Sequence, residues 1–464
     1  MQMLRSIQEI LATPALLVGV IVLTGLIIQK KPIDHVIKGT VTAVVGFVLL
    51  SVGSEFLKNG VLKDFGELFN YDFHIQGLIP NMEAVASLGI TNYATMVSEM
   101  MILGMLANLI MARFGPFHYI FLTGHHIMYM ACLITVVLYG SEMKNWEILT
   151  AGSLLLGLLM ALMPALAQKE MEKVTGSSRI ALGHFSIISY LAAAKVASHV
   201  SKEEKSRSTE EIHFSPRLSF MRDSTVGIFL VMTVIFLLVT GVAAWRTDLR
   251  SLDISYGNGG YQNWVIYAMM QGMQFAVSIY IILAGVRLII AEIVPAFKGI
   301  AGKIVPHARP AVDCPVLFSY APSAAMIGFL MSFLGGIITM FVLVGCNTVS
   351  GSNFFPVILP GVVAHFFCGG SAGVFANAEG GLKGCIIGSF VHGILISLLS
   401  LIVTPALGGL GLSGTTFSDA DFCMAGILLG YLRRILSGKG ILSLCVVAYI
   451  VPVIYEQMKN RKEK

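Results

Sequence analysis

Charge is what this chain has least of. Only 12% of its 464 residues are Asp, Glu, Lys or Arg, about half the share of an ordinary soluble domain. A water-exposed surface cannot be covered on that allowance, so a soluble globular fold is excluded. Catalytic signatures are missing too. There is no Walker-type glycine loop, no Gly-x-Ser-x-Gly elbow and no His-Glu-x-x-His pair, so nucleotide, acyl-transfer and zinc-hydrolase chemistries lose their main signals. Seven cysteines lie singly in apolar stretches without a Cys-x-x-Cys pair, which argues against a disulfide framework or structural zinc. Neither a cofactor nor a metal is called for. The net charge of +5 is not a nucleic-acid signal, because the basic residues sit at the ends of apolar runs, where they orient spans. No small-residue cleavage site follows the Met1–Ile28 run, so it reads as a first span and not a removed signal peptide.

What the chain has instead is hydrocarbon: 56% hydrophobic residues and a mean hydropathy of +0.80. A span needs about 20 mostly apolar residues. Candidate spans run near 11–28, 35–52, 97–113, 118–139, 147–167, 224–245, 262–290, 323–346, 355–376, 383–404 and 440–457, eleven in all. Five intervening stretches, 54–70, 78–94, 177–199, 307–321 and 411–436, are too short or broken to cross and suit re-entrant hairpins or interfacial helices. The fold class is therefore an all-α polytopic membrane protein. Lys and Arg in the short loops fall mostly on one side if the N-terminus is outside and the C-terminus cytoplasmic, with Arg246, Arg250, Arg433 and Arg434 as exceptions.

The polar stretch 201–217 is the natural midpoint, and the two sides of it repeat weakly. Gly46 and Gly60 match Gly285 and Gly299; Pro80-x-x-Glu83 matches Pro310-x-x-Asp313; Leu122-x-Gly124 matches Leu359-x-Gly361; His184-Phe185 matches Asp421-Phe422. The offset stays between 230 and 239 residues. Five spans before the midpoint turn the second copy upside down, the inverted-repeat plan of many carriers. The expected division is residues 1–200, a cytoplasmic linker 201–222, and residues 223–464.

Ionisable residues inside apolar segments are costly and mark candidate sites. Glu83, His125, His126, His184, Glu292, Asp313, His365 and Asp421 qualify. Glu83, Asp313, His184 and Asp421 stand out because they occupy repeat-equivalent places in broken segments; Glu292, His126 and His365 read as structural. Broken helices expose backbone amides and half-helix ends that hold an anionic or hydroxyl-rich ligand. The chain reads as a carrier of a small polar solute, with an ion- or proton-coupled transporter as the alternative class.

A resemblance sharpens this. The stretches IKGT…GF…GS (37–54), LTGHHIMYMACLI (122–134), LGH (182–184), GVR…AE…AFKGI (285–300), AVDC…SYAP…GF (311–329) and PG…GVFAN…GG (360–381) run in order along nearly the whole chain. Together they resemble the ascorbate-specific membrane component, enzyme IIC, of the bacterial phosphoenolpyruvate-dependent sugar phosphotransferase system. The resemblance implies eleven spans in two inverted halves, with a core moving against a dimer-forming domain, each drawn from both repeats. It implies a homodimer among the lipids of the inner membrane and inward movement of L-ascorbate or a similar sugar acid. It further implies that cytoplasmic IIB and IIA components carry the phosphoryl group, so the chain is not itself an enzyme. By the same resemblance, His125, His184 and Asp313 contact substrate and Ser54 lines the cavity. The sequence departs from the ascorbate pattern at Tyr129 and Phe185, where those members carry glutamines, and these two positions are expected to set substrate choice.

Overall fold

The computed structural model describes residues 13–73, 77–80, 82–201, 207–211, 224–258, 260–303, 305–351, 355–407 and 415–462. Most of the central linker thus lies outside the described residues, as do the side chains of Ser54 and Glu83.

The chain is helical wherever its apolar runs are long. In the first part come α1 (Pro14–Ile28), α2 (Ile33–Phe56), a π-turn (Leu57–Leu62), α3 (Lys63–Phe73), α4 (Met82–Phe114), α5 (Gly124–Tyr139), α6 (Asn145–Thr175) and α7 (Ile187–Val200). The second part has α8 (Ser224–Arg246), α9 (Trp264–Lys303), α10 (Pro322–Ser350), α11 (Gly370–Leu407), α12 (Ala420–Ile435) and α13 (Gly438–Lys462). Local signals set several ends. Pro14 and Pro322 open α1 and α10, where the missing N–H costs nothing. Gly176 and Gly351 close α6 and α10 in the left-handed conformation, with φ of 65° and 62°.

Among the described residues, eight stretches are long and apolar enough to cross a bilayer, and three shorter apolar helices accompany them: Val18–Ile28, Gly124–Tyr139 and Ile187–Val200. The expected spans 355–376 and 383–404 appear as one 44-residue stretch, Val362–Pro405. It is bent where Gly381 takes φ 61° and ψ −153°. Outward faces are apolar: Ile33, Ile37, Val41, Val45, Val48 and Val52 of α2 are exposed at three- and four-residue spacing. Water would not tolerate such a stripe, but hydrocarbon requires it.

The helices sort into two groups. One is α1, α2, α3, α8 and α9; the other is α4 to α7 with α10 to α13. Within the first group, α2 and α9 meet at Gly46 and Gly285. A Cβ on Gly285 would lie 2.5 Å from both the Gly46 carbonyl oxygen and the Leu50 nitrogen, so only glycine permits this approach. The same group is tied by buried Asp64 of α3, whose Oδ2 accepts from the Tyr267 hydroxyl at 2.8 Å, the Gln271 amide at 3.0 Å and the Ser255 N–H at 3.0 Å. A buried carboxylate needs such a full set of donors.

Short extended segments fill the breaks. β4 (Arg309–Val312) lies between β2 (Tyr119–Phe121) and β3 (Ala181–Leu182), all parallel. β1 (Ile79–Pro80) pairs with β5 (Thr415–Thr416), and Leu78 bridges to Ile358. In each cluster, a central segment from one side of the linker is flanked by two segments from the other side. Four of the five expected broken stretches thus join an extended segment to a helix or turn, with the 14-residue helix α7 occupying most of 177–199, whereas 54–70 is helical throughout, running from α2 through the π-turn into α3.

Candidate functional site

A cavity of about 890 Å³ opens between the two helix groups. On one side it is walled by Phe47, Leu50 and Ser51 of α2, by the π-turn and by α3. On the other side the wall is made by the breaks: Pro80, the start of α5, the β3–α7 and β4 loops, the segment before α11, and the turn before α12. The breaks deliver polar groups to it because an extended residue at a helix end presents its side chain beyond the helix mouth.

Strand pairing sets the geometry. Leu122 and Gly183 donate backbone bonds to Ala311 and Val312 at 2.9 and 2.7 Å, which holds the LTGH, LGH and VDC stretches side by side. A Cβ at Gly183 would collide with the Ala311 carbonyl, so glycine is required there. The outcome is a row of alternating side chains. His125 Nε2 is 3.5 Å from Asp313 Oδ2, Asp313 Oδ1 is 4.0 Å from His184 Nε2, and His184 Nε2 is 3.9 Å from Asp419 Oδ2. His125 is the open end of the row, with 39% of its side chain exposed, against 3% for His184. Behind the row, the Tyr190 hydroxyl sits 3.0 Å from His184 Nδ1. With two carboxylates facing Nε2, the hydrogen belongs there, so Tyr190 donates to Nδ1. Ser418 donates to Asp419 Oδ1 at 2.7 Å.

Of the residues singled out from the sequence, His125, His184, Asp313 and Tyr129 line this cavity. The Tyr129 ring stands edge-on to His125 at 5.8 Å. Phe185 and Asp421 are placed elsewhere. Phe185 is fully buried, stacked on Phe121 at 4.8 Å and edge-on to Phe422 at 5.4 Å. Phe185 lies in the turn between His184 and α7, and that turn directs its side chain away from the cavity wall. Asp421 accepts from the N–H groups of Ile187 and Ile188 at 2.9 and 3.0 Å. It caps the start of α7 from a distant part of the chain, a role for which a carboxylate at a helix N-terminus is well suited. His365 shares the Ser332 hydroxyl with His392, at 2.8 and 2.9 Å, in a buried cluster apart from the cavity lining. His126, read as structural, does touch the cavity, although Phe185 N–H donates to its Nδ1 at 3.4 Å. Sequence reasoning passed over Asp419, yet it lies in the same broken stretch as Asp421, and the rule that picked out Asp421 applies to it equally.

The row also bears on metal binding. His126, His184 and Asp419 bring one ligand atom each within 4.8 Å of one another, as do two neighbouring sets that include Asp313. The spacings of 3.5 to 4.0 Å exceed the ~3.3 Å edge of a four-coordinate zinc shell with ~2.0 Å bonds.

The chain is similar to the ascorbate-specific PTS system EIIC component of Mycoplasma pneumoniae, strain ATCC 29342 / M129, with 24% identity over 441 residues. The match covers 86% of this chain but 66% of the relative, so the chain spans just under two thirds of that protein's length. The family signature of PTS system sugar-specific permease components (EIIC-GAT) matches residues 9–421. On that match across most of its length, together with its apolar helices, the chain belongs to the sugar-specific permease components of the phosphotransferase system.

Proposed function

We propose that this chain carries a small polyhydroxylated solute inward across a bacterial inner membrane for phosphorylation by a separate cytoplasmic B component, itself charged by a IIA component. The observation that carries this reading is the cavity between two helix groups, walled on one side by broken segments and lined by His125, His184 and Asp313. L-ascorbate or a closely related sugar acid is the first candidate, because the Mycoplasma relative bears that name. A different sugar or polyol is the second, favoured by Tyr129 and by the additional carboxylate of Asp419 on the cavity wall.

Eleven crossings follow if the bent 44-residue stretch counts as two spans and α1 and α5 each cross. The two strand clusters, each with its centre from the opposite side of the linker, support two inverted repeats running over 1–200 and 223–464. The α2–α9 group would then form the dimer-making domain and the other group the moving core. The apolar stripe of α2 would lie against lipid or a second copy. The Lys and Arg distribution supports an outside N-terminus and a cytoplasmic C-terminus.

Uptake in cells separates this reading from an ion-coupled transporter. With the general phosphocarrier proteins deleted, intracellular solute should stop accumulating and no sugar phosphate should form. Undiminished accumulation of unmodified solute would overturn the group-translocation reading.

A further inference from the structure

Asp419 has no place in the reading taken from sequence, yet it closes the most enclosed part of the cavity wall. It is 6% exposed, lines the cavity, and has one oxygen fixed by the Ser418 hydroxyl. Its other oxygen faces His184 Nε2 at 3.9 Å, the mirror of Asp313 at 4.0 Å on the same nitrogen. Both gaps are too wide for a direct hydrogen bond. A hydroxyl oxygen placed in either gap, with bonds of ~2.7–2.9 Å, would see its two partners at roughly a right angle. It would accept from Nε2–H and donate to the carboxylate. An oxyanion can accept but has nothing to donate, so in either gap it meets a carboxylate with no hydrogen between them.

The fixed charges of the wall point the same way. Among the described side chains, Glu55, Glu67, Asp313 and Asp419 line the cavity, with Lys63 as the one Lys or Arg. Lys63 is already paired with Asp253 at 2.9 Å. Among the described side chains, an incoming anion meets four carboxylates and one ion-paired lysine, whereas an uncharged polyol finds alternating donors and acceptors.

We infer that Asp419 is a further substrate-binding residue and that, with Asp313 across His184, it selects an uncharged polyhydroxylated solute over a monoanionic one. The inference rests on the permease reading above and decides between its two candidate substrates.

The test is ligand binding to the purified full-length protein in lipid nanodiscs, by calorimetry. The panel sets four- to six-carbon alditols and aldoses against L-ascorbate and aldonates. The best neutral ligand should bind at least ~10-fold more tightly than ascorbate, as one charge-assisted hydrogen bond gained or lost is worth about a factor of ten or more. Asp419→Asn should weaken that neutral ligand and shrink the ratio by ~10-fold, while Asp419→Glu, which keeps the charge, should preserve a neutral preference. Should Asp419→Asn fail to fold, Ser418→Ala frees the carboxylate and should shift the ratio in the same direction. Tighter binding of ascorbate than of every neutral compound, or an unchanged ratio in Asp419→Asn and Ser418→Ala, overturns the inference and leaves the permease reading standing. Failure of the whole panel to bind overturns both.

Discussion

The segment before α7 and the segment before α12 occupy equivalent places in the proposed repeat, and they use their polar side chains for opposite purposes. His184 keeps one ring nitrogen on Tyr190 and turns the other to the cavity, 3.9–4.0 Å from two carboxylates. Asp421, its counterpart by offset, spends both oxygens on the backbone N–H groups of Ile187 and Ile188. The difference teaches that a repeat conserves a path of the backbone, whereas the duty of a side chain depends on what the opposite half places beside it. In the second segment the residue facing the cavity is Asp419, just before α12, whereas Asp421 lies in the first turn of that helix.

The largest effects should come from the cavity side of this comparison. His184→Ala and Asp313→Asn should each abolish uptake at limiting substrate, through affinity losses of about 10–100-fold, with an unchanged elution profile and melting temperature of the purified protein. Near-normal transport by either variant would place that residue with Asp421 among the structural groups. Asp421→Ala should do the reverse. Two buried N–H groups lose their acceptor, a cost of about 2–3 kcal/mol, read as a lowered melting temperature, while the surviving folded fraction binds substrate within twofold of the parent. An intact melting temperature with lost affinity would erase the distinction.

A smaller effect separates the two positions at which glutamine would be expected from the ascorbate pattern. Phe185→Gln buries an amide between Phe121 and Phe422 and should cost about 1–3 kcal/mol of stability without moving the ratio of ascorbate to neutral-polyol affinity. Tyr129→Gln changes a side chain on the cavity wall and should move that ratio with little change in melting temperature. If Phe185→Gln moves the ratio and Tyr129→Gln does not, the assignment of cavity-facing residues is reversed.

Much of this was legible in the sequence, and the reasons are physical. Long apolar runs announce membrane helices whatever their neighbours do, because their length alone matches a bilayer. The sequence pairs Gly46 with Gly285 by offset, and the structure shows that the two glycines meet each other. The cost of burying a charge picked out His184 and Asp313, which the strand pairing then brings together. What could not be read was direction. Burial cost is the same for Asp421, which caps a helix, as for Asp419, which faces the cavity. Only the three-dimensional partner tells them apart. Phe185 adjoins His184 in sequence, but the turn that begins at Phe185 sends the two side chains to different surroundings.

The strand clusters have a consequence for how the protein is made. β2 and β3 are synthesised well before β4, the segment that lies between them, and β1 waits for β5, more than 300 residues later in the chain. Neither half can complete its own breaks, so the nascent first half must rest in the bilayer with its interrupted helices unpaired until translation is nearly over. Contacts of such long sequence separation form slowly. The two halves should therefore assemble when expressed as separate polypeptides in one cell, cut within the linker, and neither should persist when expressed alone.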